Sequence, residues 1–173
     1  SSTSVLQERH NVHDAARTHK LSLTVSLIDA IGADHPTDRI VVMSTRNDTL
    51  KNLQVMRDGG LFTGEVSKTA HREQLVADFR DSSGGVLYVA TKAGGVGIDL
   101  SAGNRVILVD ASWNPADDAQ AISRCWRMGQ TNPVVVYRLL AEETLEEGLY
   151  RMGVKKQNMT ALFLDEHEAV RTY

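Results

Sequence analysis

Four short runs rich in β-branched residues, at residues 40–43, 86–90, 106–109 and 134–139, punctuate this chain, and stretches of helical periodicity separate them. An apolar run of four to six residues is the signature of a strand buried on both faces, which only a parallel sheet with helices above and below provides. The intervening pieces fit. From Lys20 onward Leu21, Val25, Ile28 and Ile31 recur at helical spacing, with Gly32 as a stop. Leu50, Leu53 and Met56 mark a second helix ended by Gly59 and Gly60, and residues 61–63 read as a brief strand. A helix over 69–80 turns Leu75, Val76 and Phe79 inward, another starts at Pro115, and one more starts at about Glu142. Strands alternating with helices in this order predict an α/β fold with a parallel sheet covered on both faces.

With 173 residues, 42% of them hydrophobic, the chain can bury one sizeable core, so one domain is the expectation. Residues 1–18 are polar, without a sustained period, and read as a linker or frayed leading segment. Cys125 is the lone cysteine, which excludes an internal disulfide and fits a reducing, intracellular compartment. No Cys/His cluster has the spacing of a structural zinc site, and no metal ligand is expected. No apolar run approaches the roughly 18 residues of a membrane span, so no membrane partner is expected. A net charge of -3 gives no bulk argument for nucleic acid, so such a partner must be argued from motifs. The chain starts at Ser1 without Met, as a fragment of a longer protein or a processed chain would.

Two segments carry chemistry. Thr91-Lys92-Ala93-Gly94-Gly95-Val96-Gly97-Ile98-Asp99-Leu100 leaves the carboxyl end of a strand, where open α/β sheets bind ligands. Its glycines let backbone amides approach an anion closely, or simply satisfy a tight turn; no Walker A lysine follows. The second segment begins at Asn114-Pro115, an N-cap followed by proline at the first helical position, with Asp117 and Asp118 facing the helix dipole. Counting from there puts Asp117, Gln120, Arg124 and Arg127 on one face and Ala119, Ile122 and Trp126 on another. Two guanidinium forks on one stripe suit phosphate oxygens, and equally a solvated face in which Asp117 pairs with Arg124.

In order and spacing these segments resemble the carboxyl-terminal helicase lobe of Snf2-family, superfamily 2, DNA-dependent ATPases. The resemblance covers about residues 20–159: residues 91–97 are similar to motif V, Gln120 to Gln130 (QAISRCWRMGQ) to motif VI, residues 40–45 to motif IV, and Phe62-Thr63-Gly64 with His71-Arg72 to motif IVa. The phrases DASWNP and KKQNM lean toward the Rad54-like branch that includes ATRX.

The resemblance implies a RecA-like lobe over residues 19–140, a bracing helix over 141–160 and an unassigned tail over 161–173. It implies that the lobe works with an N-terminal RecA-like lobe, absent from this sequence, that holds the phosphate loop and most of the Mg2+ coordination. Carried over by position, Arg124 and Arg127 reach the ATP phosphates, Gln120 orients them, and Gly97 and Asp99 border the nucleotide. Ser44, Thr45, Gly64, Arg72, Thr91 and Lys92 hold the backbone of double-stranded DNA, and Trp113 couples DNA to the ATP site. Each has a plainer alternative: Asp99 as a loop cap, Arg72 as surface charge, Trp113 as core. Trp126 and Met128 depart from the family pattern, in which a smaller aromatic or His and a branched or aromatic residue are usual. Nuclear location and nucleosomal substrates are further implications. The fragment alone is expected to be inactive. Two other readings compete: a lobe kept only for binding after loss of ATPase function, against which the arginine pair argues, and a doubly wound metabolic enzyme, whose Gly-x-Gly-x-x-Gly fingerprint residues 94–97 do not fit.

Overall fold

The computed structural model describes residues 2–64, 69–92, 98–110, 112, 114–142 and 144–154, with side chains from residue 18 onward except at 69 and 115. Five parallel strands form one sheet: β1 (Ile40–Ser44), β2 (Gly60–Phe62), β3 (Val86–Ala90), β4 (Arg105–Leu108) and β5 (Val135–Arg138), in the order β2-β3-β1-β4-β5. The helices are α1 (Ser2–Asp34), α2 (Asn47–Met56), α3 (Thr69–Asp81) and α4 (Pro115–Ile122), and the backbone is again helical over residues 145–154.

The period-two alternation of β1 divides the core in two. Ile40 and Val42 join Ile28, Ile31, Leu50, Leu53 and Tyr88 under α1 and α2, whereas Val41 and Met43 join Phe62, Phe79, Leu87, Ala121 and Cys125 on the side of α3 and α4. Burying each such large apolar side chain contributes roughly 1.5–3 kcal/mol before chain entropy is subtracted. Tyr88 keeps its ring in the core because its hydroxyl donates to Arg57 O at 2.8 Å, and burial pushes the phenol up to about 12.

The α/β expectation holds, and β3 has the bounds that the sequence predicts. Three local expectations do not hold. The backbone of residues 2–18 is helical and continuous with the packed part of α1. Neither proline nor glycine interrupts residues 2–31, so helix once nucleated on the core propagates backward at little cost. The same helix passes the predicted stop at Gly32 and ends at Asp34, ahead of Pro36.

The third difference concerns motif VI. Helix α4 stops at Ile122, so Arg124 and Arg127 lie on a run of turns rather than on a helical stripe with Gln120. The buried positions are Asp118, Ala121 and Cys125, and Trp126 is exposed. Asp118 tolerates burial because its carboxylate lies 3.4 Å from Arg138 of β5.

The core strands place the chemistry at two edges. The β1–α2 loop, Gly64 after β2 and Lys92 after β3 share the carboxyl edge, where the order reverses around β1. The segment after α4 is stitched instead to residues 100–103, which lead into β4.

Candidate nucleic-acid and phosphate site

Thr45, Arg46, Asn47, Asp48, Gly64, Ala90 and Lys92 line an open cleft of about 480 Å³ at the carboxyl edge of the sheet. Asp110, two residues past β4, fixes one wall. Its Oδ2 accepts from Ser44 Oγ at 2.7 Å, the Thr45 amide at 2.7 Å and Thr45 Oγ1 at 2.9 Å. One carboxylate thus sets the exit of β1, and Ser44 Oγ also accepts from the Arg46 amide at 3.0 Å. Ser44 is buried, so its hydroxyl serves this loop; Thr45, Gly64 and Lys92 are exposed. Open space surrounds Gly64. Thr91 is half-buried beside Lys92, and Arg72 of α3 lies over the Phe62 ring, 5.4 Å from its centroid.

The second set is Asp99, Arg124 and Arg127. Asp99 Oδ1 accepts from the Ser101 amide at 2.9 Å, and hydrogen bonds from Ser101, with help from the charges of Arg127 and Arg80, hold its carboxyl below the usual carboxylate range. The loop-cap role and the neighbourhood of Arg127 therefore coexist. Leu100 N donates to Arg124 O at 3.1 Å, and Gln130 Nε2 donates to Ser101 O, Gly103 O and Cys125 O at 2.8, 3.0 and 3.4 Å. Gln130 clips the arginine-bearing turns to the strand behind them. Gln120 is exposed on α4. Gly97 and Trp113 lie outside the described residues.

Sequence reasoning missed Asp110 and Gln130 as organisers, although both stand inside the motifs that it quoted. A short-range signal existed for Gln130: Gly129 before it adopts φ 104°, a turn that pure helical counting ignores. It also missed Lys20, whose Nζ donates to Val109 O at 3.0 Å and Leu139 O at 3.2 Å and pairs with Glu146 Oε2. That ammonium ties α1, the ends of β4 and β5 and the helix of residues 145–154 together. No sequence spacing announces such a convergence.

The model of the helicase conserved C-terminal domain matches residues 19–129. The chain belongs to that family. Within it, this helicase lobe is 39% identical to the DNA repair and recombination protein RAD54B of Homo sapiens over 152 residues, 84% of this chain and 17% of that protein. It is 37% identical to the Transcriptional regulator ATRX of Homo sapiens over 139 residues, 79% of this chain and 5% of that protein. Among solved structures, the C-terminal part of the Fun30 ATPase domain superposes with a TM-score of 0.68 at 28% identity, covering 78% of this chain and 45% of that one. These relatives are Snf2-type, and so is this lobe. It spans less than half the length of each.

The two edges suit phosphate chemistry in different ways. Exposed Thr45, Lys92 and the open backbone at Gly64 can meet a string of phosphates without reading bases. Exposed Arg127, on turns held by Gln130, presents a guanidinium fork on an already ordered backbone. Among the described residues no group of three or more His, Cys, Asp or Glu gathers as metal ligands.

Proposed function

We propose that this lobe is the carboxyl-terminal half of a DNA-dependent ATPase that moves along double-stranded DNA, in the manner of a chromatin remodeller or repair translocase. The observation that carries the reading is Arg127: exposed, on a backbone that Gln130 and the Leu100–Arg124 hydrogen bond hold in place. A cation so positioned can meet the charge that develops on a transferring phosphoryl group, an effect worth about 10³ to 10⁵ in rate where arginine fingers act. Arg124 supports the same phosphates, and Gln120 and Asp99 border them. ATP is the phosphoryl donor; Mg2+ is assigned to the phosphate-binding lobe.

Thr45, Gly64, Arg72, Thr91 and Lys92 hold one strand's phosphates, with Ser44 and Asp110 fixing their loop. Contacts of this kind position a protein without sequence preference, as a translocase requires. The names of the relatives, a DNA repair and recombination protein, a transcriptional regulator and an ATPase domain, agree with nuclear work on DNA or nucleosomes.

The test is ATP turnover of the full-length parent with and without duplex DNA, for wild type and Arg127→Ala. The expected result is DNA stimulation of wild type and a loss of two or more decades in the variant with ATP binding retained. Unchanged turnover in Arg127→Ala would make Arg127 surface charge and overturn the catalytic reading of this segment.

A further inference from the structure

Trp126 and Met128 flank Arg127, and their side chains are 74% and 99% exposed. Large apolar groups on a fraying loop mean little, but this backbone is held. The Trp126 amide donates to Ile122 O at 3.0 Å, the Gln130 amide to Arg127 O at 3.1 Å, and Gln130 Nε2 reaches three carbonyls on both sides of the turn. Cys125, next to Trp126, is fully buried and anchors the run in the core. A fixed backbone that holds out Trp, Arg and Met in succession presents the residue types enriched at the centre of protein interfaces, so that docking orders their side chains but not the main chain.

We propose that Trp126 and Met128 are the apolar seat by which this lobe closes onto the phosphate-binding lobe of the same parent protein. The inference rests on the proposed function, because Arg127 between them reaches the nucleotide only if the other lobe faces this turn. The occupant is an apolar patch bordering that lobe's nucleotide site. Relatives supply the chain for it, since this lobe spans 45% of the Fun30 chain and 17% of RAD54B. Trp126 and Met128 thus convert nucleotide binding into a committed closed state, with apolar burial adding to the charge contact of Arg127.

The experiment uses the full-length parent with donor and acceptor dyes on the two lobes, DNA, and a non-hydrolysable ATP analogue. Trp126→Ala/Met128→Ala is expected to lower the closed fraction and the DNA-stimulated kcat by about tenfold or more, the loss typical of a truncated interface anchor. Thermal stability should not move, since neither side chain is packed in this lobe, and Trp126→Phe/Met128→Leu should restore most of the closure. The inference is overturned if the alanine pair closes and turns over within twofold of wild type, or if its only defect is nucleotide affinity in the open form, which would make Trp126 a base-stacking residue. Arg127→Ala separates the two levels. If Arg127→Ala is inactive and the alanine pair is normal, the seat alone fails; if Arg127→Ala is normal, the arginine-finger role on which the seat rests fails; and if wild type shows no DNA-stimulated turnover, the ATPase reading itself fails.

Discussion

Removing the Asp110 carboxylate tests whether one side chain shapes the β1–α2 loop. In Asp110→Ala three donors lose a charged acceptor: Ser44 Oγ, Thr45 N and Thr45 Oγ1. Hydrogen bonds to a charged group contribute about 1.5–3 kcal/mol each. The three share one oxygen, and exposed Thr45 can turn to water, whereas the buried Ser44 hydroxyl, which still accepts from the Arg46 amide, can donate only to Arg46 O at 3.3 Å. The sum is therefore nearer about 2–4 kcal/mol than three full bonds. For a chain of this size each kcal/mol moves Tm by about 2–4 °C, so a fall of about 4–16 °C is expected. Urea unfolding should show a lower midpoint at unchanged m, the sign of lost stability without a changed denatured state. A Ser44→Ala/Asp110→Ala double-mutant cycle should return a coupling of about 0.5–3 kcal/mol. An Asp110→Ala midpoint equal to wild type, or a coupling near zero, refutes the assignment.

The Asp38 carboxyl is raised by burial, but hydrogen bonds from Asn104 and Arg105 outweigh this and hold it below its ordinary value of 3.8. Its folded value being depressed, the contribution is present above that ordinary value and fades as pH falls through the folded one; Asp38→Asn should flatten the urea midpoint's fall at pH below that ordinary value of 3.8. Gln130→Ala frees three carbonyls and the Asn132 amide, at about 1–3 kcal/mol; hydrogen exchange should quicken at Asn132 while β1 stays protected. Burial pushes the Cys125 thiol up to about 12, so iodoacetamide at pH 8 should label the chain only after unfolding, as mass spectrometry would show.

The layers of this fold are legible because each strand is a solid apolar run and each helix carries a stripe at three- and four-residue spacing. Val86–Ala90 is buried on both faces, and its boundaries survive because Gly85 precedes it and the polar Thr91-Lys92 follows. Strand order is not legible: placing β4 beside β1 and β5 outside it depends on pairings such as Ile40 with Arg105, with no local signal. The extended stripe from Gln120 to Arg127 misleads for a physical reason. Periodicity counts assume that the helix continues, whereas Gln130 and the positive φ of Gly129 pull the chain into turns against residues 100–103. The result exposes Trp126 beside Arg127, where counting sets the two on different faces.

Both candidate sets of residues are fastened near the ends of β4. Its leading end meets the Gln130 clip through Gly103, while past its trailing end Val109 takes Lys20 and Asp110 holds Ser44 and Thr45. Between them lie four residues, about 13 Å of extended chain, paired in register with β1 on one side and β5 on the other. A strand paired on both edges and buried in the core does not stretch or bend under the loads that side chains transmit. The strand thus couples the β1–α2 loop mechanically to the arginine-bearing turns. Under the proposed function, any change in their spacing to ATP or DNA comes from the whole lobe rotating against its partner, which puts the mechanical step at the face where Arg127, Trp126 and Met128 stand exposed.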